Sequence, residues 1–205
     1  MTQRPTALLI DFDGVLRTFD PSTNAKIEQR YGLEPGTVLD MALEWDRLLP
    51  AITGRMTRAE WLATVAADLA PRVGGPGRAA ELMAEWEVYP GDVATDVLAF
   101  VRDVRAAGLP VCLATNATIE FHDVLASFGL TGEFDAVALS AELGVHKPAK
   151  EYFQAACALI ATPPPRCLLV DDTDRMIRGA RAAGLSAYRY TPGDDLTYPR
   201  RALGL

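Results

Sequence analysis

The chain has 205 residues, 49% of them hydrophobic, and a formal net charge of −7. This length and apolar fraction predict one sizeable α/β domain, or such a core with a small accessory module. The net negative charge argues against a general nucleic-acid-binding protein, because such binding needs a cationic surface that releases counterions. A small phosphate ester stays compatible with this charge, since a few local positive groups suffice to bind it.

The cysteines and the distribution of apolar residues bear on the cellular compartment. Cys112, Cys157 and Cys167 lack metal-ligand spacing, so we interpret them as buried thiols in a reducing environment. The short polar start of the chain predicts no signal peptide, and no apolar stretch approaches the length of a membrane span. We therefore expect a cytoplasmic protein that does not span a membrane.

Five short apolar runs predict the strands of a sheet. These runs are Ala7–Ile10, Val111–Ala114, Ala136–Leu139, Cys167–Val170 and Ser186–Tyr190. Nearly continuous apolar runs of this length are typical of parallel strands covered on both faces. The segments between the later runs have helical periodicity, and they are Val93–Ala107 after a cap at Asp92, Thr118–Phe128, Ala149–Ile160 and Arg175–Ala183. This alternation predicts an α/β fold with a doubly wound, Rossmann-like parallel sheet of about five strands.

The long segment between the first two predicted strands has helical rather than strand patterns. Its predicted helices are Asn24–Tyr31, Pro35–Leu48, Arg58–Leu69 and Arg78–Trp86, with a capping box of Thr57 and Glu60 before the third. We therefore predict an inserted α-helical cap domain at residues 18–89 on an α/β core of residues 1–17 and 90–205. The three tryptophans of this insert are predicted to pack its interior, and they are Trp45, Trp61 and Trp86.

Polar clusters follow the predicted strands where those strands end. The clusters are Asp11-Phe12-Asp13-Gly14 after the first strand, Thr115-Asn116 after the second, Lys147 after the third and Asp171-Asp172 after the fourth. The carboxyl ends of parallel strands share one edge of the sheet, where open α/β sheets bind ligands. Each cluster alone is a weak signal, but together they predict one cleft that holds acids, a hydroxyl and a cation.

The chemistry of this set favours a magnesium-dependent phosphoryl transfer. Two carboxylates 4 Å apart repel by about 4 kcal/mol at an effective dielectric near 20, so a cation is expected between them. An all-oxygen set favours Mg²⁺, and zinc is disfavoured because the only histidines are His122 and His146 and no cysteine lies near the clusters. A carboxylate nucleophile would then form an aspartyl-phosphate.

These segments resemble the haloacid dehalogenase-like hydrolase superfamily, whose four motifs occur here in order. Asp-Phe-Asp-Gly resembles the first motif, Thr115 the second, Lys147 the third and Asp171-Asp172 the paired-acid form of the fourth. The resemblance covers nearly the whole chain, and the inserted helices resemble that superfamily's cap of the first type. It implies a phosphatase-type member that acts on a small phosphorylated metabolite.

The resemblance also implies residue roles for the reaction. Asp11 would attack phosphorus, and Asp13 would protonate the leaving oxygen and then activate water. Thr115 and Lys147 would bind the phosphoryl oxygens, with Lys147 also offsetting the charge of Asp11. Independently of the resemblance, backbone N–H groups around Thr115 and Asn116 are expected to hold the remaining oxygens. Two aspartates with different roles are chemically reasonable, since one must stay ionised while the other holds a proton.

The resemblance implies a magnesium site as well. Its ligands would be Asp11, Asp172 and the backbone carbonyl of Asp13, with Asp171 in support. One departure from the family pattern concerns the surroundings of this site, because Met176 occupies a position where paired-acid members often have asparagine. Asp174 either substitutes as a polar partner or caps its helix.

Several alternatives stay open at this point. A phosphosugar mutase similar to β-phosphoglucomutase would use the same core residues. Asp13 argues against a 2-haloacid dehalogenase, and the retained motif residues argue against a non-catalytic binding relative; a phosphonatase would need a cap lysine, for which only Lys26 is present. Arg17 and His146 flank the motifs, and we interpret them as a surface salt bridge and a loop residue rather than substrate contacts. The chain is expected to be a monomer or a homodimer.

Overall fold

The computed structural model describes residues 4–205 of the chain. In chain order the elements are β1 (Ala7–Ile10), β2 (Arg17–Thr18), α1 (Pro21–Arg30), α2 (Thr37–Ala42), α3 (Trp45–Ile52), α4 (Arg58–Val73), α5 (Pro76–Trp86), β3 (Asp92–Val93), α6 (Thr95–Ala106), β4 (Val111–Thr115), α7 (Phe121–Ser127), β5 (Ala136–Leu139), α8 (Ser140–Leu143), α9 (Lys150–Leu159), β6 (Cys167–Asp171), α10 (Asp174–Ala182), β7 (Ser186–Arg189) and α11 (Thr197–Leu203). A run of five helices lies between the two very short strands β2 and β3, and from β3 onward strands alternate with one or two helices.

A five-stranded parallel sheet in the order β5-β4-β1-β6-β7 forms the centre of the fold. The strand β1 is central, and its Leu8 pairs with Val111 of β4 and Leu168 of β6. Alternate residues face opposite sides, so that Leu8 packs toward α6, α7 and α11 while Leu9 packs toward α9 and α10. Both faces are therefore covered, which explains the unbroken apolar runs. The predicted doubly wound α/β sheet is confirmed.

The five inserted helices α1–α5 have an apolar cluster of their own. Its fully buried members are Val38, Ala42, Val65, Leu69, Ala79 and Leu82. Thr57 and Glu60 form the predicted capping box at the start of α4. A separate buried cluster is what a small lobe needs, and we propose that these helices are the cap domain. The domain boundaries after residues 17 and 89 stay predictions.

The predicted single helix Pro35–Leu48 is wrong, because the chain forms two helices there. The helix α2 ends at Ala42, and α3 begins at Trp45 after an extended Glu44. Arg47 of α3 donates to the carbonyl of Met41 at 3.0 Å, so a side chain of the second helix contacts the end of the first. The periodicity of apolar residues continues through the break, so it could not locate the turn.

Two of the three tryptophans pack in the insert as predicted, and the third does not. Trp61 and Trp86 lie against the apolar cluster, and the Trp61 indole donates to the carbonyl of Ala42 at 3.1 Å. Trp45 is 43% exposed and contacts His146 instead, with ring centroids 5.1 Å apart. The interior role predicted for Trp45 is therefore wrong, because its side chain faces the α/β core.

A two-stranded antiparallel ribbon of β2 and β3 lies where the chain enters and leaves the inserted helices. Arg17 pairs with Val93, and Thr18 pairs with Asp92. The sequence predicted Asp92 as the cap of a helix from Val93, but both residues belong to β3 and α6 begins at Thr95. A pairing between residues so distant along the chain has no local sequence signal, which explains the error.

Two further expectations concern the whole chain. The three cysteines are free and buried, as predicted. Among residues 4–205, no helix has both the length and the apolar character that crossing a bilayer requires.

The short helices α8 and α11 were not predicted, since four and seven residues give too little periodicity to recognise.

Candidate active site

The four predicted polar clusters meet at one edge of the sheet. Asp11 directly follows β1, Thr115 ends β4 and Asp171 ends β6. Because β4, β1 and β6 are neighbours in the sheet, their carboxyl ends bring these three side chains together. Lys147, in the loop between α8 and α9, reaches the same point from one side.

Lys147 joins two of the acids through a buried pair of ionic contacts. Its Nζ lies 2.9 Å from Asp11 Oδ1 and 2.7 Å from Asp171 Oδ2. The side chain of Lys147 is 2% exposed and that of Asp171 is fully buried. Such a triad is stable only with good geometry and further hydrogen bonds. Asp11 Oδ1 also accepts from the backbone N–H of Phe12 at 2.7 Å, which supplies one of them.

Burial and neighbouring charges oppose each other in this triad. Burial raises the pKa of Asp11 well above its usual value, and the negative charge of Asp171 acts in the same direction against the opposing Lys147 ammonium. Burial alone would lower the pKa of Lys147, but the charges of Asp11 and Asp171 outweigh it and raise that pKa. Lys147 is therefore held as a cation, and further positive charge close to Asp11 would favour the ionised form of that carboxyl.

The backbone around Lys147 is held by Asn116. The Asn116 side chain donates to the Lys147 carbonyl at 3.0 Å and accepts from the Lys147 N–H at 2.8 Å. This paired contact fixes the loop from which the lysine extends. The sequence placed Asn116 among the phosphate-binding residues, and the structure places its side chain on the protein backbone. The neighbouring Thr115 is buried at the end of β4, where its carbonyl accepts from the Tyr152 hydroxyl at 3.3 Å.

Three carboxylates form a compact acidic cluster beside this lysine. One oxygen from each of Asp11, Asp171 and Asp172 lies within 4.8 Å of the others. Asp171 uses both oxygens inside the protein, since Oδ1 accepts from the Thr173 N–H at 2.9 Å and Oδ2 accepts from Lys147. Asp172 is less enclosed, and burial followed by the charge of Asp171 raises its pKa. A cluster of carboxylate oxygens of this kind fits a hard divalent cation such as Mg²⁺.

Gly14 allows Asp172 to approach the Asp11 loop. A Cβ atom at Gly14 would lie 2.1 Å from Asp172 Oδ2, so any side chain there would displace the Asp172 carboxylate. The residue also has a positive φ of 84°, which favours glycine. The glycine of the Asp-Phe-Asp-Gly motif therefore gives Asp172 room beside the Asp11 loop and adopts the positive φ that the loop requires.

Asp13, the second acid of the motif, points toward Arg17. The guanidinium of Arg17 contacts both oxygens of Asp13, at 2.6 Å to Oδ1 and 3.0 Å to Oδ2. The Asp13 side chain is 46% exposed, whereas that of Arg17 is only 15% exposed. The predicted salt bridge of Arg17 therefore exists, but Arg17 lies largely buried beside the motif rather than on the surface.

Asp174 has neither of the two roles that the sequence suggested for it, a polar partner of the acidic site or the cap of its helix. Thr173 is the residue that precedes the first turn of α10, and Asp174 is the first residue of that helix. The Asp174 carboxylate pairs with Arg178 on the helix exterior. Asp174 is thus neither a partner of the acidic cluster nor the N-terminal cap. The backbone N–H of Thr173, rather than any side chain near Met176, holds Asp171.

Sequence reasoning missed a contact between the inserted helices and the loops of the site. Trp45 of α3 stands edge to face with His146, which directly precedes Lys147. The guanidinium of Arg175, three residues after Asp172, lies 5.7 Å from the centre of the Trp45 ring. No motif in the sequence marks this contact, because it joins three segments that are distant along the chain.

Comparison with known families identifies the class of protein that this fold and site define. A model of the haloacid dehalogenase-like hydrolase family matches residues 5–184. The chain belongs to this family and is a hydrolase, as the four motifs predicted.

Two relatives of this chain bear phosphatase names. The phosphoserine phosphatase of Thermus thermophilus is 33% identical over 120 residues, which are 56% of this chain and 47% of that protein. A phosphatase of Mycobacterium tuberculosis is 26% identical over 198 residues, 89% of this chain and 86% of that protein. The match to the Thermus relative thus spans less than half of that protein's length.

A solved structure shows the same fold. The crystal structure of a HAD family enzyme from Bacteroides thetaiotaomicron, in complex with magnesium and inorganic phosphate, has a TM-score of 0.73 to this chain. It covers 95% of this chain and 98% of its own at 19% identity. At that identity the comparison establishes the shared fold.

Proposed function

We propose that this chain is a magnesium-dependent phosphohydrolase that acts on a small phosphorylated metabolite through an aspartyl-phosphate at Asp11. The observation that carries the proposal is the position of Lys147 Nζ, 2.9 Å from Asp11 and 2.7 Å from Asp171, beside a third carboxylate. A buried lysine among acids offsets the charge of a nucleophilic carboxylate and leaves positive potential for a phosphate. The phosphatase names of the two relatives support the same reaction class.

Asp11 is the nucleophile in this proposal. Its Oδ1 is held by the Phe12 N–H and the Lys147 ammonium, which fixes the orientation of the carboxylate. The other oxygen attacks phosphorus, a P–O bond to Asp11 forms, and the bond from phosphorus to the leaving oxygen breaks. Covalent catalysis of this kind divides one difficult displacement into two easier ones.

The phosphoryl group is bound by the ends of two strands and one loop. Thr115 at the end of β4 offers a hydroxyl, and Lys147 offers a fixed positive charge. Asn116 contributes through its backbone N–H, since its side chain holds the Lys147 backbone. Donors that are already oriented stabilise the charge that develops on the phosphoryl oxygens without reorganising during the reaction.

The acidic cluster would hold the magnesium ion. Asp11 and Asp172 would contribute side-chain oxygens and Asp13 its backbone carbonyl. Asp171 would act in support, because both of its oxygens already accept hydrogen bonds from the protein. When bound, Mg²⁺ offsets negative charge between phosphate and carboxylates. Its positive charge would also oppose the effect of burial, which raises the pKa of Asp11.

Asp13 transfers the protons in this proposal. It donates a proton to the leaving oxygen in the first step and takes one from the attacking water in the second. The second step breaks the bond between phosphorus and Asp11, releases phosphate and restores the free carboxylate. Asp13 also disfavours a 2-haloacid dehalogenase, which lacks an acid at this position.

A substrate screen with a chelator control tests the proposed function. The purified chain should release nitrophenol from p-nitrophenyl phosphate with Mg²⁺ and stop in EDTA, and then release phosphate from members of a panel of phosphorylated metabolites that includes phosphoserine. Activity that persists in EDTA would remove the metal assignment. Conversion of one sugar phosphate into an isomer without phosphate release would identify the phosphosugar mutase instead.

Three further features of the protein remain predictions within this proposal: its partner, its location and its oligomeric state. A small metabolite rather than nucleic acid is the expected partner, in keeping with the net charge of −7. A cytoplasmic location and a monomeric or homodimeric state are expected from the sequence. Size-exclusion chromatography with light scattering would measure the oligomeric state directly.

A further inference from the structure

Arg17 links the second acid of the site to both ends of the inserted segment. Its guanidinium contacts both carboxylate oxygens of Asp13, and its Nη1 donates to the carbonyl of Pro90 at 3.3 Å. The guanidinium carbon also lies 4.8 Å from the ring centres of Phe12 and Phe19. Phe12 belongs to the motif, Phe19 follows β2, and Pro90 precedes β3.

These contacts fix Arg17 more firmly than an ordinary surface ion pair would. Two parallel N–H···O contacts set the plane of the carboxylate as well as its position. Stacking on aromatic rings holds the guanidinium itself, with favourable cation–π interaction at both rings. The backbone of Arg17 is also fixed, because its carbonyl accepts from the Gly14 N–H at 2.8 Å.

We propose that Arg17 is a positioning residue that orients the Asp13 carboxylate for proton transfer in the reaction. The proposal rests on the proposed function, because it assumes that Asp13 exchanges protons with the leaving group and with water. The Arg17 fork occupies one acceptor site on each Asp13 oxygen, and each oxygen keeps a second site. An Asp13 without Arg17 would be a half-exposed side chain free to rotate, and catalysis is sensitive to small errors in such geometry.

The dependence on the leaving group distinguishes this role from a merely structural one. The leaving oxygen of p-nitrophenyl phosphate departs with little need for a proton, whereas that of phenyl phosphate needs one. The two substrates share their shape at the reacting end, so cap contacts differ little. A variant with a misplaced Asp13 should therefore lose more kcat/KM on phenyl phosphate than on p-nitrophenyl phosphate.

The experiment compares the wild type, Arg17→Gln and Arg17→Lys on a series of substituted phenyl phosphates. General acid–base catalysis typically contributes about 10²- to 10⁴-fold, and we expect Arg17→Gln to lose about tenfold or more on phenyl phosphate and about threefold or less on p-nitrophenyl phosphate. Arg17→Lys should show the same trend, since one ammonium cannot hold both oxygens in the same fork.

Arg105→Gln is the matched control for the loss of an arginine ion pair away from the site. Arg105 pairs with Asp135 at 3.1 Å and donates to the carbonyl of Gly132 at 2.8 Å, but it lies on α6. This variant should keep the wild-type dependence on the leaving group. Thermal unfolding of each variant shows whether the fold is retained.

The outcomes separate the two proposals. A wild type without activity on any phenyl phosphate would contradict the proposed function. An active wild type whose Arg17 variants lose equal activity on all leaving groups would contradict the positioning role and leave the phosphatase in place. A gain of activity in Arg17→Gln would also contradict the positioning role, because the ion pair would then hold Asp13 away from the geometry that proton transfer needs.

Discussion

Lys147 Nζ lies 2.9 Å from Asp11 Oδ1, and both residues are buried at the carboxyl edge of the sheet. The same ammonium is 2.7 Å from Asp171, so one cation is shared by two acids that come from adjacent strands. Burying these charges costs desolvation free energy, which their mutual attraction offsets. If one partner is removed, the remaining buried charges are left uncompensated and the fold is destabilised. Removing the lysine should therefore affect both folding and activity.

Lys147→Met should destabilise the protein by about 3–5 kcal/mol, the cost typical of leaving buried charges unpaired. The size of this effect should depend on pH. Lys147 lowers the pKa of Asp11, so its loss raises that pKa further above the unfolded value. A folded-state pKa above the unfolded one means that stability is lost as pH rises. The gap to wild type should be larger at pH 8 than at pH 5, as measured by urea unfolding.

Lys150→Met is the matched control for this experiment. Lys150 is an exposed lysine at the start of α9, so its replacement should change stability by about 0.5 kcal/mol or less at either pH. A Lys147→Met gap that stays constant or grows at pH 5 would contradict the electrostatic account. Lys147 itself stays charged throughout this range because its pKa is raised, so its own titration does not contribute.

Asp11→Asn should abolish turnover while retaining the fold. The amide has the shape of the carboxylate but is not a nucleophile, and loss of a nucleophile in an enzyme of this kind costs on the order of 10⁴-fold or more. Rapid quenching of the wild type with p-nitrophenyl phosphate should yield a peptide containing Asp11 that has gained one phosphoryl group. Beryllium fluoride with Mg²⁺ should inhibit the wild type by mimicking that group. Turnover by Asp11→Asn would remove the nucleophile role.

Magnesium should stabilise the folded protein through the acidic cluster. A ligand at 100 times its dissociation constant raises the free energy of unfolding by about 2.7 kcal/mol. Asp172→Asn should reduce this gain, as measured by thermal unfolding with and without Mg²⁺. Asp174→Asn removes a nearby acid that pairs with Arg178 outside the cluster, so this control should keep the wild-type gain. An equal gain in both variants would place the ion elsewhere.

The fold and the converging residues of the site could be predicted because their signals are local. Unbroken apolar runs identified the five strands of the parallel sheet, and the residues after those strands identified Asp11, Thr115 and Asp171 at one edge. In a parallel sheet, strand order alone decides which of these ends are adjacent. The sequence predicted the shared edge, but not the order β5-β4-β1-β6-β7 that makes β4, β1 and β6 neighbours.

The remaining features depend on contacts between distant segments. The ribbon of β2 and β3 consists of two residues from each side of the insert, which give no periodicity. Arg17 looked like a surface residue because its charge was visible in the sequence and its two aromatic neighbours were not recognised as partners. Trp45 was assigned to the interior of the insert because its hydrophobicity does not show whether the side chain packs among the inserted helices or against the α/β core.

Trp45 provides a last test, because its contact with His146 joins the inserted helices to the loop of Lys147. Trp45→Ala should alter KM for phosphorylated substrates while costing about 1 kcal/mol or less, since the side chain is 43% exposed. Trp61→Ala should instead cost about 2–4 kcal/mol, because Trp61 packs on the apolar cluster of the insert and donates to Ala42. Steady-state kinetics and urea unfolding of both variants measure the contrast. An unchanged KM in Trp45→Ala would show that this contact does not influence substrate binding.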